Sequence, residues 1–393
     1  MSCIVKKFGG TSVATLERIK NVANIIADSL GKKHTVVAVV SAMAGVTNKF
    51  VNYINNLDTY EGDPEYDCVV SSGELVTSGL LAIALKNLGI NAKSYASWQV
   101  PIFTDNNHGR AIIQKIDPVN LQSDISCGIV PVICGFQGVS PDNRVTTLGR
   151  GGSDLTAVAI SSAINADLCE IYSDVDGVYT VDPNLYPEAK KIEEVSFCEM
   201  LEMASYGAKV LQEQSVDYAM NKNVTIRVAS SFIDNGGTII SKNIPMKHFR
   251  GLAITHNLSQ MKISYGSDSN LKDIIALLKK NFIRVEILHD KGSNKTIFMI
   301  DRKKAMVALK ILRDSGLTPF AKQEFPKKHF SQISVIGSSF SESVCKKLSN
   351  ALEDEKINVF SCSIFDYRIN VIIPSDQLLN AIRVLHQYCE LDK

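Results

Sequence analysis

The stretch Val5-Lys-Lys-Phe-Gly-Gly-Thr-Ser-Val13 begins as an apolar strand pattern and changes abruptly to two glycines and two hydroxyl residues. A helical pattern follows at 15–30, and a β-branched run follows at 35–40. Strand followed by helix, repeated along the chain, predicts a parallel or mostly parallel sheet covered by helices. The same signals predict further strands at 129–134 and 167–172 and further helices at 75–88 and 154–166. We therefore expect residues 1–245 to form one α/β domain.

The character of the sequence changes near Ile244-Pro245-Met246. Two shorter cycles of strand, helix, strand, strand and helix follow, one within 260–325 and one within 330–393. Each cycle has the length of a small ferredoxin-like βαββαβ unit. Two such units side by side are more often regulatory than catalytic, so we expect the chemistry to lie in residues 1–245.

Composition and charge exclude several classes of protein. The 393 residues exceed the ~250–300 at which single cores stop growing, so two or more domains are expected. A balance of 42 basic and 41 acidic residues provides no broad basic face for nucleic acid or an anionic membrane. No apolar run approaches the ~18 residues of a transmembrane helix, and the amino terminus lacks a signal-peptide pattern. The nine cysteines form no C-x-x-C pair, which favours reduced thiols in the cytoplasm over disulfides or zinc.

The glycines after the first strand indicate a phosphate site. Gly9 and Gly10 have no Cβ, so backbone N–H groups can approach phosphate oxygens, and the helix N-terminus that follows favours negative charge. Lys7 would neutralise a transferring phosphoryl group. An ordinary strand-turn-helix remains the alternative for this stretch alone, because the chain has no Walker A loop and no H-R-D or D-F-G motif.

Two further segments offer polar groups for a ligand. In Thr146-Thr-Leu-Gly-Arg-Gly-Gly-Ser-Asp154, Arg150 presents a planar fork to a carboxylate. Asp154 would hold Lys7 or orient donors, or would only cap a helix. In Ile171–Pro183, acidic and hydroxyl residues follow a strand, which suits either an adenosine and ribose cradle or a polar turn.

These segments together resemble the aspartate kinase family. The matching motifs are KFGGTSV at 7–13, SAM at 41–43, SSGE at 71–74, GFQGV at 135–139, TTLGRGGSD at 146–154 and EIYSDVDGVYTVDP at 170–183. The resemblance implies an amino-acid-kinase αβα sandwich followed by two ACT modules. It also implies that ATP and Mg2+ are used to phosphorylate the side-chain carboxylate of L-aspartate, a step toward lysine, diaminopimelate, threonine and methionine.

Residue roles are implied by the same resemblance, position by position. The implied catalytic residues are Lys7 and Asp154. The implied nucleotide-binding residues are Lys7, Phe8, Gly9, Gly10, Ser173, Asp174, Tyr179 and Lys209. The implied aspartate-binding residues are Ser41, Thr47, Glu74, Arg150, Gly151, Gly152 and Ser153. Glu74 would pair with the substrate ammonium and Arg150 with a carboxylate, and no protein ligand for a metal is implied.

The resemblance also implies regulation and assembly. ACT modules of this family bind lysine or threonine and pair across subunits, so we expect such an effector and a homo-oligomer. The effector loop commonly includes Pro-Gly, which is absent from Tyr265-Gly-Ser-Asp-Ser-Asn270 here. We therefore predict weak or altered inhibition, with Asp268 as the remaining contact for an effector ammonium and ordinary feedback as the alternative.

Two rival functions remain open on the sequence. One is another kinase of the superfamily, acting on glutamate, acetylglutamate, carbamate or a nucleotide. The paired tail, together with Glu74 and Arg150, favours a free amino acid instead. The other is an amino-acid sensor that has lost turnover, against which the intact Lys7 and Asp154 argue.

Overall fold

The computed structural model describes residues 2–57, 62–208, 210–264, 268–281, 283–289, 295–316 and 329–392. The chain divides into two compact units. The first comprises Met1–Val178, Lys191–Ser205 and Lys209–Met246, and the second comprises Tyr179–Lys190, Tyr206–Ala208 and Lys247–Lys393. The two predicted modules fall within one unit, and the limits 1–245, 260–325 and 330–393 stay predictions.

Strands and helices alternate through most of the described residues. The strands are β1 (Cys3–Phe8), β2 (Thr35–Val40), β3 (Ala92–Tyr95), β4 (Ile102–Thr104), β5 (Ile113–Ile116), β6 (Val130–Cys134), β7 (Gln137–Val139), β8 (Val145–Thr147), β9 (Leu168–Ser173), β10 (Val178–Tyr179), β11 (Lys191–Ile192), β12 (Glu194–Ser196), β13 (Ile226–Ser230), β14 (Thr238–Ser241), β15 (Phe249–Ser264), β16 (Val285–His289), β17 (Lys295–Asp301), β18 (Phe330–Gly337), β19 (Ser361–Phe365) and β20 (Arg368–Pro374). The α-helices are α1 (Leu16–Gly31), α2 (Val46–Asn55), α3 (Pro64–Val70), α4 (Ser72–Asn87), α5 (Val119–Ser126), α6 (Gly152–Ala163), α7 (Phe197–Tyr206), α8 (Glu213–Lys222), α9 (Asp268–Lys280), α10 (Arg302–Asp314), α11 (Glu342–Asp354) and α12 (Leu378–Tyr388).

The first unit is built on an eight-stranded sheet of order β12-β14-β13-β9-β1-β2-β6-β3. Its central strands β13, β9, β1, β2, β6 and β3 are all parallel, and β14 runs antiparallel to β13. Helices α1 and α4 cover one face around the buried Phe8, Ile26 and Leu81, and α6 packs on β1 and β9. The predicted parallel sheet with helices on both faces is confirmed.

Helix α6 begins two residues earlier than its predicted start at Asp154. Gly151, with a left-handed φ of 71°, occupies the N-cap position, so Asp154 lies inside the first helical turn. The reading of Asp154 as a plain helix cap is therefore wrong, because the glycine makes the turn into the helix and the carboxylate is left to another partner.

A small four-stranded sheet, in the order β5-β4-β7-β8, precedes α6 in the chain. Strands β7 and β8 are antiparallel, with Gln137 opposite Thr147. Since β8 leads directly into the glycine turn at residues 149–152, the position of this sheet determines where that turn lies.

One described helical stretch, Pro64–Asn87, has the length and apolar composition of a membrane span. It consists of α3 and α4, and half of its most apolar window is buried inside the protein. Leu81 and Leu85 have no exposed surface. A core helix passes the same compositional test, and the burial of these side chains identifies α4 as one.

The second unit contains a six-stranded sheet of order β16-β17-β15-β18-β20-β19, in which every pair is antiparallel. Strand β15 is shared: its first half pairs with β18 and its second half with β17. Along the chain the order is β15, α9, β16, β17, α10 and then β18, α11, β19, β20, α12, which confirms the two predicted cycles.

An unexpected segment belongs to the second unit. Residues Tyr179–Lys190 include the end of the predicted nucleotide motif at 170–183, yet Val181 is part of the apolar core formed with α11 and α12. Thr180 Oγ1 lies 2.9 Å from His386 Nε2, and the Leu252 N–H donates to the Thr180 carbonyl at 2.6 Å. The sequence signals for a polar turn did not reveal this docking.

The expectation that all cysteines are reduced is wrong for one pair. Cys345 on α11 and Cys362 on β19 form a disulfide, and the other seven cysteines are free. Helix α11 packs on β19 and so brings together two residues that are 17 positions apart. No spacing rule indicates such a pair, because tertiary packing brings the two together.

Candidate active site

The carboxyl ends of four neighbouring parallel strands meet at one edge of the first unit's sheet. In the sheet these strands are ordered β9, β1, β2 and β6. The residues that follow them are Asp174, Gly9, Ser41 and Gly135, respectively. Ligands of open α/β sheets bind beyond the carboxyl ends of the strands. The predicted segments therefore converge on the expected edge.

The glycine turn after β1 is tightly enclosed. The Gly9 N–H donates to the Tyr172 carbonyl at 3.1 Å, which ties the turn to β9. A Cβ on Gly9 would lie 3.3 Å from Lys7 Nζ, and one on Gly10 would lie 3.0 Å from the Ala42 carbonyl oxygen. Side chains at these positions would crowd the lysine and the turn after β2, so the close approach favours glycine.

Lys7 and Asp154 form a buried ion pair. The Lys7 Nζ lies 2.6 Å from Asp154 Oδ1, and each side chain is 11% exposed. Asp154 lies in the first turn of α6, where the partial positive charge of the helix N-terminus also stabilises a carboxylate. The pair predicted from the sequence is therefore in contact, with the lysine ammonium held at the glycine turn.

The neighbouring Lys6 has a different environment, because successive side chains of a strand point to opposite faces. Its ammonium contacts Glu170 and lies 3.1 Å from the Tyr172 hydroxyl, while Arg227 Nη2 lies 2.7 Å from Glu170 Oε1. Burial lowers the pKa of Lys6, an effect opposed by Glu170. Lys6 therefore belongs to an internal charge network, and strand alternation separates it from Lys7.

Glu74 is a buried carboxylate that can still accept a hydrogen bond or an ion pair. The residue is 3% exposed, and its Oε1 accepts the Ala42 N–H at 3.0 Å. Within the described residues its Oε2 has no hydrogen-bond partner. Burial raises the pKa of Glu74 to about 7, against the lowering effect of the Ala42 N–H. A buried acid that lacks a partner for one oxygen is suited to receive a cationic group from a ligand.

The glycine turn between β8 and α6 separates an exposed residue from buried ones. Gly149 and Gly151 have φ values of 76° and 71°, which favour glycine. A Cβ on Gly151 would overlap Gln212 Cγ at 2.0 Å, and one on Gly152 would lie 2.8 Å from Phe136 Cδ2. Arg150 is exposed, whereas the two residues after Gly152 are buried.

Ser153 is held close to the turn after β6. A Cβ on Gly135 would lie 2.7 Å from both Cβ and Oγ of Ser153 and 2.9 Å from the Val40 carbonyl oxygen. The Gly135 N–H donates to that carbonyl at 2.9 Å. Gly135 and Ala42 are therefore parts of the site that the residue predictions missed, although GFQGV and SAM were recognised as motifs. Both act through backbone proximity, which residue chemistry does not reveal.

The remaining predicted residues are less closely connected. Ser41 and Thr47 are half-buried, and Thr47 lies in the first turn of α2. The Ser173 hydroxyl donates to Asp174 Oδ1 at 2.9 Å beyond β9. Tyr179 belongs to the second unit, and Lys209 lies outside the described residues.

Only the backbone of Phe8 is available to a ligand, since its ring is fully buried and stacks on Tyr172 with 4.9 Å between centroids. In the described part of the chain, no group of three or more His, Cys, Asp or Glu residues is arranged to hold a metal. Mg2+ in phosphate-binding sites typically keeps water and phosphate ligands and needs only one or two carboxylates. The acidic residues near the glycine turns therefore suit Mg2+ that arrives on a nucleotide.

The chain is similar to known protein families, to curated relatives and to solved structures. The model of the amino acid kinase family matches residues 2–230, and an ACT domain model matches 327–387. The chain is 39% identical to an aspartokinase of Rickettsia felis over 95% of both sequences. It is 37% identical to an aspartokinase of Pseudomonas aeruginosa over its whole length and 98% of that relative. The solved structure of E. coli aspartokinase III with aspartate and ADP matches with a TM-score of 0.82, 25% identity, and coverage of 98% of this chain and 99% of that one.

Proposed function

We propose that this chain, which belongs to the aspartokinases of the amino acid kinase family, phosphorylates the side-chain carboxylate of L-aspartate with ATP and forms 4-phospho-L-aspartate. The observation that carries the proposal is Glu74, a buried carboxylate with one oxygen that has no partner among the described residues. A free amino acid supplies the ammonium that such a group needs. The similar E. coli enzyme was solved with aspartate and ADP.

The substrate site is formed by residues from four segments. Glu74 takes the ammonium and Arg150 takes a carboxylate through its planar fork. Hydroxyl groups and glycine backbone complete the site, contributed by Ser41, Thr47, Gly151, Gly152 and Ser153. An acid without an amino group would leave Glu74 buried and unpaired, so the site selects a zwitterion.

The nucleotide site lies at the turns after β1 and β9. Lys7, Gly9 and Gly10 hold the phosphates, and Phe8 contributes its backbone because its ring is buried. Ser173 and Asp174, which lie at the end of β9, would bind the nucleoside, and the resemblance to aspartate kinases assigns Tyr179 and Lys209 the same role. Mg2+ bound to the phosphates would neutralise part of their charge.

The acceptor carboxylate is already ionised at neutral pH, so the reaction requires no general base. Its oxygen forms the new bond to the γ-phosphorus as the bond to the ADP oxygen breaks. The chief obstacle is repulsion between two anions. Lys7, oriented by Asp154 at 2.6 Å, and the N-terminus of α6 supply fixed positive charge, the usual resource in phosphoryl transfer.

The product indicates which pathways the enzyme serves, and the second unit indicates how it is regulated. The acyl phosphate serves the synthesis of lysine, diaminopimelate, threonine and methionine, and the enzyme works in the cytoplasm. The catalytic domain comprises residues 1–245, and modules at 260–325 and 330–393 pair between subunits and bind lysine, threonine or both. The ACT domain match at 327–387 supports the second of these modules.

A hydroxamate assay of acyl phosphate formation tests the proposal. The purified chain is incubated with ATP, Mg2+ and one acceptor at a time, from L-aspartate, L-glutamate, N-acetyl-L-glutamate and carbamate. We expect product chiefly with L-aspartate. Turnover of another acceptor would indicate a different kinase, and amino acid binding without any turnover would indicate a sensor.

A further inference from the structure

Ser231 lies one residue beyond β13, at the sheet edge where the carboxyl ends of the parallel strands meet. The residue is 4% exposed. Its N–H donates to the Ser173 carbonyl at 3.3 Å, and its hydroxyl donates to the Ser12 hydroxyl at 2.8 Å. Its carbonyl accepts from Arg18 Nη2 at 2.9 Å and from Asn21 Nδ2 at 3.1 Å. One residue thus connects the end of β9, the segment after β1 and helix α1.

Ser12 belongs to the glycine turn that is proposed to hold phosphate. Its N–H donates to the Gly9 carbonyl at 2.9 Å, and the Val13 N–H donates to the Gly10 carbonyl at 3.3 Å. Ser12 has no exposed surface. The pairing of β1 with β9 holds the start of this turn through the Gly9 N–H, whereas the Ser231 hydroxyl holds its end.

The Ser231 hydroxyl is itself held by a cation. Arg18 Nη2 donates to it at 2.8 Å, and Arg18 Cζ lies 3.7 Å from the centroid of the Phe232 ring. A hydrogen bond from a charged donor is stronger than a neutral one, and contact with an aromatic ring restricts the long side chain. The hydroxyl that holds the end of the glycine turn is therefore fixed in position and direction.

The backbone of Ser231 reaches the residues that are proposed to bind the nucleoside. Ser173, whose carbonyl accepts the Ser231 N–H, is the last residue of β9, and its hydroxyl donates to Asp174. Ser231 therefore contacts the phosphate turn through its side chain and the nucleoside segment through its backbone.

We propose that Ser231 is a positioning residue for the nucleotide, and that its hydroxyl holds the phosphate turn in its binding conformation before ATP arrives. The inference rests on the proposed nucleotide site at Gly9, Gly10, Ser173 and Asp174. A turn that is already ordered loses less conformational freedom when it binds phosphate, so affinity rises without any contact between Ser231 and the nucleotide. The residues proposed to bind aspartate lie on other segments, so aspartate binding should not depend on this hydroxyl.

The test is the Ser231→Ala variant of the full chain, which removes the hydroxyl and keeps the backbone contacts. Isothermal titration calorimetry with ADP and Mg2+ gives Kd, and initial rates give the KM for ATP and for L-aspartate. Loss of one hydrogen bond that orders the turn corresponds to roughly a threefold to tenfold change in affinity. We expect the Kd of ADP and the KM for ATP to rise by that factor, with the KM for aspartate unchanged.

Ser12→Ala tests whether Ser231 acts through Ser12. It removes the same hydrogen bond from the other side, so the Kd of ADP should rise by a similar factor. The double variant should bind ADP no more weakly than either single variant, because all three lack one and the same interaction. Multiplying effects of the two substitutions would contradict the proposed route. Ser12→Ala also replaces Ser231→Ala as the test if the latter does not fold.

Ser161→Ala is the matched control. Ser161 is 1% exposed, and its hydroxyl donates to the Ala157 carbonyl at 2.7 Å beyond the first two turns of α6. The substitution removes a buried hydroxyl from another part of the same unit. We expect a comparable fall in the melting temperature and an unchanged Kd of ADP.

Two results overturn the positioning role. One is an unchanged Kd of ADP in folded Ser231→Ala, or in Ser12→Ala where that variant alone folds. The other is an equal rise in the KM for ATP and the KM for aspartate, which indicates a general loosening of the unit. An unmodified chain that binds ADP but does not phosphorylate aspartate would instead overturn the proposed function, and the comparison of ADP affinities would still test Ser231.

Discussion

The Lys7 ammonium lies 2.6 Å from the Asp154 carboxylate, and the contact joins the end of β1 to the first turn of α6. The carboxylate fixes the direction of a long, flexible side chain before any substrate arrives. A cation that is already oriented needs no reorganisation when negative charge develops in the transition state. The pair therefore supports the proposed action of Lys7 on the transferred phosphoryl group.

Removal of this cation should abolish most of the activity. We expect Lys7→Ala to lower kcat by ~10²–10³, as loss of one preorganised transition-state donor typically does. Lys93→Ala, which changes a lysine with a 56% exposed side chain, is the control and should retain normal turnover. A Lys7→Ala enzyme with near-normal kcat would remove Lys7 from the mechanism.

Loss of the buried negative charge at Glu74 should affect one substrate selectively. Glu74→Gln keeps the shape of the side chain and its contact with the Ala42 N–H, but it cannot pair with an ammonium. We expect the KM for aspartate to rise by roughly tenfold or more while the KM for ATP changes little. Equal changes in both constants would indicate a general defect of the site.

The pH dependence of aspartate binding should follow the Glu74 carboxyl. Burial raises its pKa to about 7, so the free enzyme loses the ionised form as pH falls below 7. The KM for aspartate should therefore rise between pH 8 and pH 6, approaching a tenfold change per pH unit below the pKa. Glu74→Gln should lack this dependence. A flat profile for the unmodified enzyme would contradict the assignment.

The raised pKa of Glu74 also makes the free energy of unfolding depend on pH. The folded state holds the Glu74 proton more tightly than the unfolded chain, whose glutamate pKa is about 4.3. Its contribution to the free energy of unfolding is therefore fully present below about pH 4.3 and is lost as the pH rises toward 7. Denaturant unfolding of the unmodified protein and of Glu74→Gln across this range measures the difference.

Gly135→Ala tests the packing of Ser153. The added methyl group would lie 2.7 Å from Ser153 and 2.9 Å from the Val40 carbonyl oxygen, so the substrate-side turn must shift. We expect a rise in the KM for aspartate and a loss of stability of roughly 1–3 kcal/mol. Gly79→Ala is the control, because the new Cβ meets nothing within 4 Å and alanine favours the helix. Equal behaviour of the two variants would refute the packing argument.

Feedback inhibition should be weak or altered. The loop at 265–270 contains Asp268 and lacks the Pro-Gly that the family resemblance implies. Some of its positions lie outside the described residues, so this expectation rests on sequence. Initial rates at subsaturating aspartate are measured against lysine, threonine and their mixture, because an allosteric ligand must appear as a shift in apparent substrate affinity. Strong sigmoidal inhibition at low concentration of either would restore an ordinary effector site.

The local sequence was sufficient to predict the parallel sheet and the two cycles of the second unit, and it offered contact with Lys7 as one of several roles for Asp154. Alternating apolar residues and glycines before a helix are signals that span only a few residues, so they indicate strands, turns and helices directly from the sequence. The resemblance supplied Glu74, which its local sequence alone would have left as a solvated residue at the start of a helix.

Tertiary structure alone decided several other features. It paired Lys6 with Glu170, placed Tyr179–Lys190 in the second unit, joined Cys345 to Cys362 and surrounded Asp67 of α3 with donors from two distant segments. Each of these features depends on contacts between residues that are remote in the chain. No local sequence pattern predicts which residues form such contacts. A buried carboxylate such as that of Asp67 is stable only where it accepts hydrogen bonds, and its donors at Gly109 and Thr147 are remote in the sequence. Only the folded chain brings them together.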